Sequence, residues 1–125
     1  MTIAIDTKVL VRLLVRDDEA QYAAAQGLVD QAAAAEEPVL ILLGALLEAE
    51  WVLRSRYRLD KASIAGTFTA LLESADVEFE HRPTLEEALY VWAQHPAAYF
   101  ADCLLSARAA HLGRRRFLTD RKSVV

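Results

Sequence analysis

Four carboxylates follow or open apolar segments along the chain. Asp6 comes after Ile3-Ala4-Ile5, Glu48 stands within Leu46-Leu47-Glu48-Ala49, Asp102 within Phe100-Ala101-Asp102-Cys103-Leu104, and Asp120 after Phe117-Leu118-Thr119. In an open parallel sheet ligands bind outside the carboxyl ends of the strands, so acids placed there are candidates for one shared cleft. Carboxylates gathered in a cleft repel one another, and a hard divalent cation relieves that repulsion. Mg²⁺ held by a few carboxylates keeps several of its waters, and such a water can be activated for in-line attack on a phosphodiester. Metal-assisted phosphodiester hydrolysis is the chemistry this set points to. Each acid also has a plainer use: Asp6 and Asp102 as helix caps or dipole partners, Asp120 as a turn residue. Glu48 is singled out because Gly44, Ala45 and Val52, one turn away, are uncharged, whereas Glu50 has Arg54 four residues on and reads as an outward ion pair.

The elements that must position these acids follow from apolar spacing. Ile3 to Ile5 shows no polar alternation, as expected of a strand buried on both faces. Residues 7–15 have helical spacing, Asp17-Asp18-Glu19 supplies capping chemistry for a helix over 19–35, and Glu36-Glu37-Pro38 ends it. Val39 to Leu43 reads as a second buried strand, with a helix from Ala45 to about Tyr57 behind it. Asp60 caps a helix running to about Glu73, and Asp76 to Phe79 is a short, more polar strand. Thr84 and Glu87 have the spacing of a capping box for a helix from Leu85 to Gln94. A helix from Tyr99 to Leu112 is closed by Gly113, and Arg116 to Thr119 is a fourth strand leading into Asp120. Strands alternating with helices predict an α/β fold with a parallel sheet, organised as a single domain over residues 1–125.

Composition narrows the function classes. At 125 residues with 54% hydrophobic side chains the chain can build one core, and disorder is not expected. No apolar run approaches the roughly 20 residues that span a bilayer, and no basic flank precedes an apolar N-terminal segment, so a soluble, cytoplasmic protein without membrane contact is expected. The lone Cys103 cannot form an internal disulfide, and His81, His95 and His111 are scattered, so any metal is expected on oxygen ligands. The net charge of -4 argues against general nucleic-acid binding, yet Arg114, Arg115, Arg116, Arg121 and Lys122 crowd the last residues.

Read in order, the segments around Asp6-Thr7-Lys8, Glu48-Ala49-Glu50-Trp51-Val52-Leu53-Arg54, Phe100-Ala101-Asp102-Cys103-Leu104-Leu105 and Leu118-Thr119-Asp120 resemble the successive motifs of PIN-domain ribonucleases of the VapC toxin type. The resemblance implies a three-layer α/β/α sandwich around a central, mainly parallel sheet of about four to five strands. It also implies Mg²⁺- or Mn²⁺-dependent cleavage of RNA, homodimerisation, and inhibition by a cognate VapB-type antitoxin. By that similarity Asp6, Glu48, Asp102 and Asp120 fall on the acidic catalytic and metal positions, with Thr7 and Thr119 beside them.

The departures from the family pattern bear on mechanism. Lys8 stands where an asparagine is usual, Tyr99 stands where many relatives carry a further acid, and the last motif reads Leu-Thr-Asp with only Arg121 to Val125 beyond it. An ammonium beside Asp6 would compete with the cation, unless the flexible side chain reaches solvent. Candidates for holding RNA phosphates are Arg12, Arg54, Arg56, Arg58 and Arg114 to Arg116. Two further readings stay open. One is a catalytically impaired homologue that binds an antitoxin or RNA; the other is an aspartyl-nucleophile phosphatase, which Lys8 disfavours because a second aspartate is wanted there.

Overall fold

The computed structural model describes residues 3–119, whose contacts gather into two units, Met1–Glu80 and His81–Val125. In the first unit the chain runs β1 (Ala4–Ile5), α1 (Thr7–Leu14), α2 (Glu19–Ala34), β2 (Val39–Ile41), α3 (Leu43–Ser55), α4 (Lys61–Glu73) and β3 (Val77–Phe79). The strands form a parallel sheet in the order β1-β2-β3, with Ile5 opposite Ile41 and Ile41 opposite Phe79. Each crossover carries a helix pair, as parallel neighbours require.

Local chemistry sets most of the helix starts. The side chains of Asp6, Asp18 and Asp60 accept hydrogen bonds from the backbone N–H groups of Val9, Gln21 and Ser63, respectively, at 3.0, 3.1 and 2.8 Å. The cap on α4 holds the Asp60 carboxyl below its ordinary value of 3.8, because two bonds from Ser63 favour the anion. Helix α3 has no local side-chain cap; Glu80, directly after β3, accepts from its first N–H at Leu43 over 2.9 Å. Leu10, Val39, Ile41, Leu46, Leu53, Ile64 and Phe68 are fully buried and make the core of this unit. Burying one such side chain contributes about 1.5–3 kcal/mol before its entropy cost.

The second unit is a helix pair, α5 (Arg82–Gln94) and α6 (Phe100–His111). Pro83 sits in the first turn of α5, where a missing N–H costs nothing. Trp92 packs edge-on against Phe100 with ring centroids 5.1 Å apart and donates its indole N–H to the Ala98 carbonyl. Gly113, at a φ of 82°, closes α6: its own N–H returns to Ala110 and that of Arg114 to Ala109.

Three features differ from what the sequence predicts. The sandwich with four to five strands is not formed: among the described residues the first unit has four helices and a parallel sheet of three strands, each of two or three residues, and the second unit is a helix pair. Strands this short make few ladder hydrogen bonds, so packing of helical faces carries the fold. The expected strand at Arg116 to Thr119 is absent; this stretch is irregular, with Arg116, Leu118 and Thr119 exposed and Leu118 at 84%. A strand needs a face to bury, and this one has none. The capping box at Thr84 is likewise replaced: α5 begins earlier, at Arg82, and the Thr84 side chain is buried inside the first turn.

Candidate metal centre and basic groove

Asp6 leaves the carboxyl end of β1, is exposed, and spends one carboxylate oxygen on capping α1. Thr7 and Lys8 follow in the first turn, Thr7 half-buried and Lys8 exposed. Glu48 lies in α3, the helix that begins just after the neighbouring strand β2, and it too is exposed. Both first-unit acids thus follow adjacent strands of the parallel sheet on the side where ligands bind.

The reason for singling out Glu48 is overturned, although the residue remains a candidate. Its helix face is solvated, while Glu50 is the buried acid, 4% exposed, with Arg54 donating to it over 2.8 Å. The buried stripe of α3 runs Leu43, Leu46, Glu50, Leu53, and the solvent face carries Gly44, Glu48 and Trp51. Pairing with Arg54 is what allows a carboxylate on the buried stripe. Arg54 is therefore committed to an ion pair rather than offered to RNA.

In the second unit Asp102 is buried, 3% exposed, in the first turn of α6, where an anion is favoured by the helix dipole. Among the described residues no buried side-chain nitrogen or oxygen lacks a hydrogen-bond partner, so this carboxylate is satisfied within the protein. Tyr99 is the N-cap position of α6 and 52% exposed. Thr119 and Arg114, Arg115 and Arg116 are exposed, and Asp120 lies outside the described residues. Among the described residues no three His, Cys, Asp or Glu side chains stand ready to hold a metal ion. Asp6 and Glu48 offer exposed carboxylate oxygens, the donor type that suits Mg²⁺ or Mn²⁺.

Three arrangements escape a reading by spacing. One joins His81 and His111: Thr84 Oγ1 lies 2.8 Å from His81 Nδ1 and 3.1 Å from His111 Nδ1, and the two rings are 5.0 Å apart. His111 Nε2 faces Glu87 at 3.8 Å. His81 and His111, 30 positions apart in sequence, are neighbours because α5 and α6 pack along each other. Another is the reach of Glu80 to the start of α3.

The third is a groove of about 200 Å³ in the first unit. Its lining combines Val11 and Val52 with the cations Lys8, Arg12 and Arg56 and with Asp17 and Gln21. Lys8 and Arg12 are four residues apart on α1 and so share a face. Tyr57 also lines it and donates its hydroxyl to Asp17 over 3.0 Å. Partial burial, then this bond, hold the Tyr57 phenol above its ordinary value of 10, so it stays a donor.

No family model matches the chain, and no curated protein matches it. Among the described residues no helix is long and apolar enough to cross a membrane.

Proposed function

We propose that the chain is a metal-dependent endoribonuclease, the toxin of a type II toxin–antitoxin pair, working in the cytoplasm as a homodimer restrained by a VapB-type antitoxin. Its acidic groups are Asp6, Glu48, Asp102 and Asp120. What carries the reading is the ordered run of four acid-bearing motifs, supported by the exposure of Asp6 at the exit of β1 and of Glu48 in the second turn of α3, the helix that follows the neighbouring strand β2. A bound Mg²⁺ or Mn²⁺ would supply an activated water and a counter-charge for the leaving oxygen. The chain's own part is to hold Asp6 through the cap on α1 and to keep the Glu48 side chain exposed to solvent.

A second reading, an impaired homologue that binds RNA or an antitoxin, is favoured by the burial of Asp102, since a carboxylate satisfied inside the protein has little to offer a hydrated cation. Cleavage of a pool of structured RNAs with and without Mg²⁺ or Mn²⁺ separates the two. Metal-dependent cutting that is lost in Asp6→Asn supports the nuclease. Cutting that appears only in Lys8→Asn supports the impaired homologue, and cutting that is indifferent to Asp6→Asn contradicts the acidic site altogether.

A further inference from the structure

We infer that the groove lined by Lys8, Arg12 and Arg56 holds a phosphate group of the RNA strand, so that Lys8 grips substrate rather than neutralising Asp6. The inference takes its ligand, RNA, from the function proposed above; the groove itself stands on geometry.

Three cations face one carboxylate across the lining, and that carboxylate, Asp17, is already engaged by the Tyr57 hydroxyl. Among the described residues no ion pair engages Lys8, Arg12 or Arg56, in contrast to Arg16, Arg54 and Arg82, which face Glu19, Glu50 and Glu86. Like charges one turn apart on α1 repel, and an anion between them removes the penalty. Guanidinium groups suit phosphate oxygens in paired hydrogen bonds, and a lysine adds a point charge.

Size and composition choose the ligand. A volume near 200 Å³ lies below the range of pockets that enclose drug-sized molecules, yet it admits a phosphate with part of its sugar. The aliphatic surface of Val11 and Val52 suits the ribose edge, and Gln21 offers an amide to a hydroxyl. Position adds the last argument. Thr7 and Lys8, which line the groove, directly follow Asp6, so a strand anchored there passes within one helical turn of the first acid. Lys8 is two residues beyond Asp6, about 200° around a helix of 3.6 residues per turn, and its companion is Arg12 rather than the acid.

The test is equilibrium binding of a fluorescent oligouridylate to the full chain in EDTA, across a salt series, with Lys8→Gln, Arg12→Gln, Arg56→Gln and, outside the groove, Arg82→Gln. Each groove variant is expected to weaken binding roughly 3- to 10-fold and to lower the slope of log affinity against log salt by about 0.7, the value for one phosphate contact on a single strand. Arg82→Gln is expected to leave both unchanged. Circular dichroism of each variant confirms the fold. Equal loss in Arg82→Gln, or none in the folded triple groove variant, overturns the inference. Binding of uridine monophosphate at the groove without binding of the oligomer also overturns it, in favour of a small phosphorylated ligand. Metal-dependent cleavage, measured separately, keeps the two proposals apart: its absence alongside groove-dependent binding removes the nuclease and leaves the groove, and intact cleavage with unchanged binding does the reverse.

Discussion

Single side chains carry opposite burdens on the same helix. Glu50 is buried and Glu48 exposed, though only Ala49 separates them, because a stripe recurring every three or four positions passes through one and misses the other. Arg54 half emerges into solvent, so its bond to Glu50 is partly screened; even so, Arg54→Ala leaves a buried carboxylate without this partner and is expected to cost about 1–2 kcal/mol in urea unfolding. Arg54→Ala combined with Glu50→Leu is expected to recover most of it. Stability unchanged by Arg54→Ala would show that Glu50 has other sufficient partners. Tyr57 makes a pH prediction. Its folded-state value is raised above 10, so the stability it contributes is full below that pH and fades as pH rises through and beyond it. Tyr57→Phe should flatten this alkaline decline in denaturant melts from about pH 10 upward. An unaltered decline would place its origin in other groups.

Among the elements, the helix ends were the most legible. Asp18 and Asp60 start α2 and α4 as their spacing indicates, and Gly113 ends α6 with its φ in the left-handed region. Glu36 does the same work at the end of α2 with φ at 60° and the same pair of returning bonds, from Glu36 to Ala33 and from Glu37 to Ala32. A side chain there pays a steric cost that glycine escapes, so Glu36→Gly should raise stability by about 0.5–1 kcal/mol, read as a higher midpoint in thermal melts. A lower midpoint would mean the greater freedom of glycine in the unfolded chain outweighs the strain. The cap on α3 was not legible, since Glu80 is 37 residues from Leu43. Glu80→Ala is expected to lose about 1 kcal/mol and to hasten hydrogen exchange in the first turn of α3. Equal exchange in both proteins would assign that turn's stability to packing alone. The phase of α3 was hidden for a different reason: apolar residues fall on every side of it, so hydrophobicity could not choose a face, and Trp51 ended 58% exposed while Glu50 went in.

At the scale of the whole molecule, apolar runs and acid positions located the elements but overstated the sheet. Ala4–Ile5 and Val39–Ile41 are paired parallel strands, shorter than the apolar runs Ile3 to Ile5 and Val39 to Leu43 and with Ala4 exposed rather than buried, whereas Arg116 to Thr119 has the composition of a strand and no surface to bury one face against. The exit of β1 at Asp6 and the first turn of α6 at Asp102 were legible from sequence, because apolar runs mark where strands and helices begin and end. Their partners were not: the His81–Thr84–His111 cluster and the groove at Lys8, Arg12 and Arg56 depend on which helices lie side by side. The central proposal is that RNA is cut with the help of a cation that needs the Asp6 carboxylate. Asn caps a helix as well as Asp does, so Asp6→Asn keeps α1 intact and removes only the charge. The decisive measurement is the single-turnover cleavage rate of a structured RNA at saturating Mn²⁺ for the protein and for Asp6→Asn. A fall of at least about a hundredfold with the helix content unchanged is the predicted result, in line with loss of a metal-activated water; equal rates in the two proteins would contradict the account.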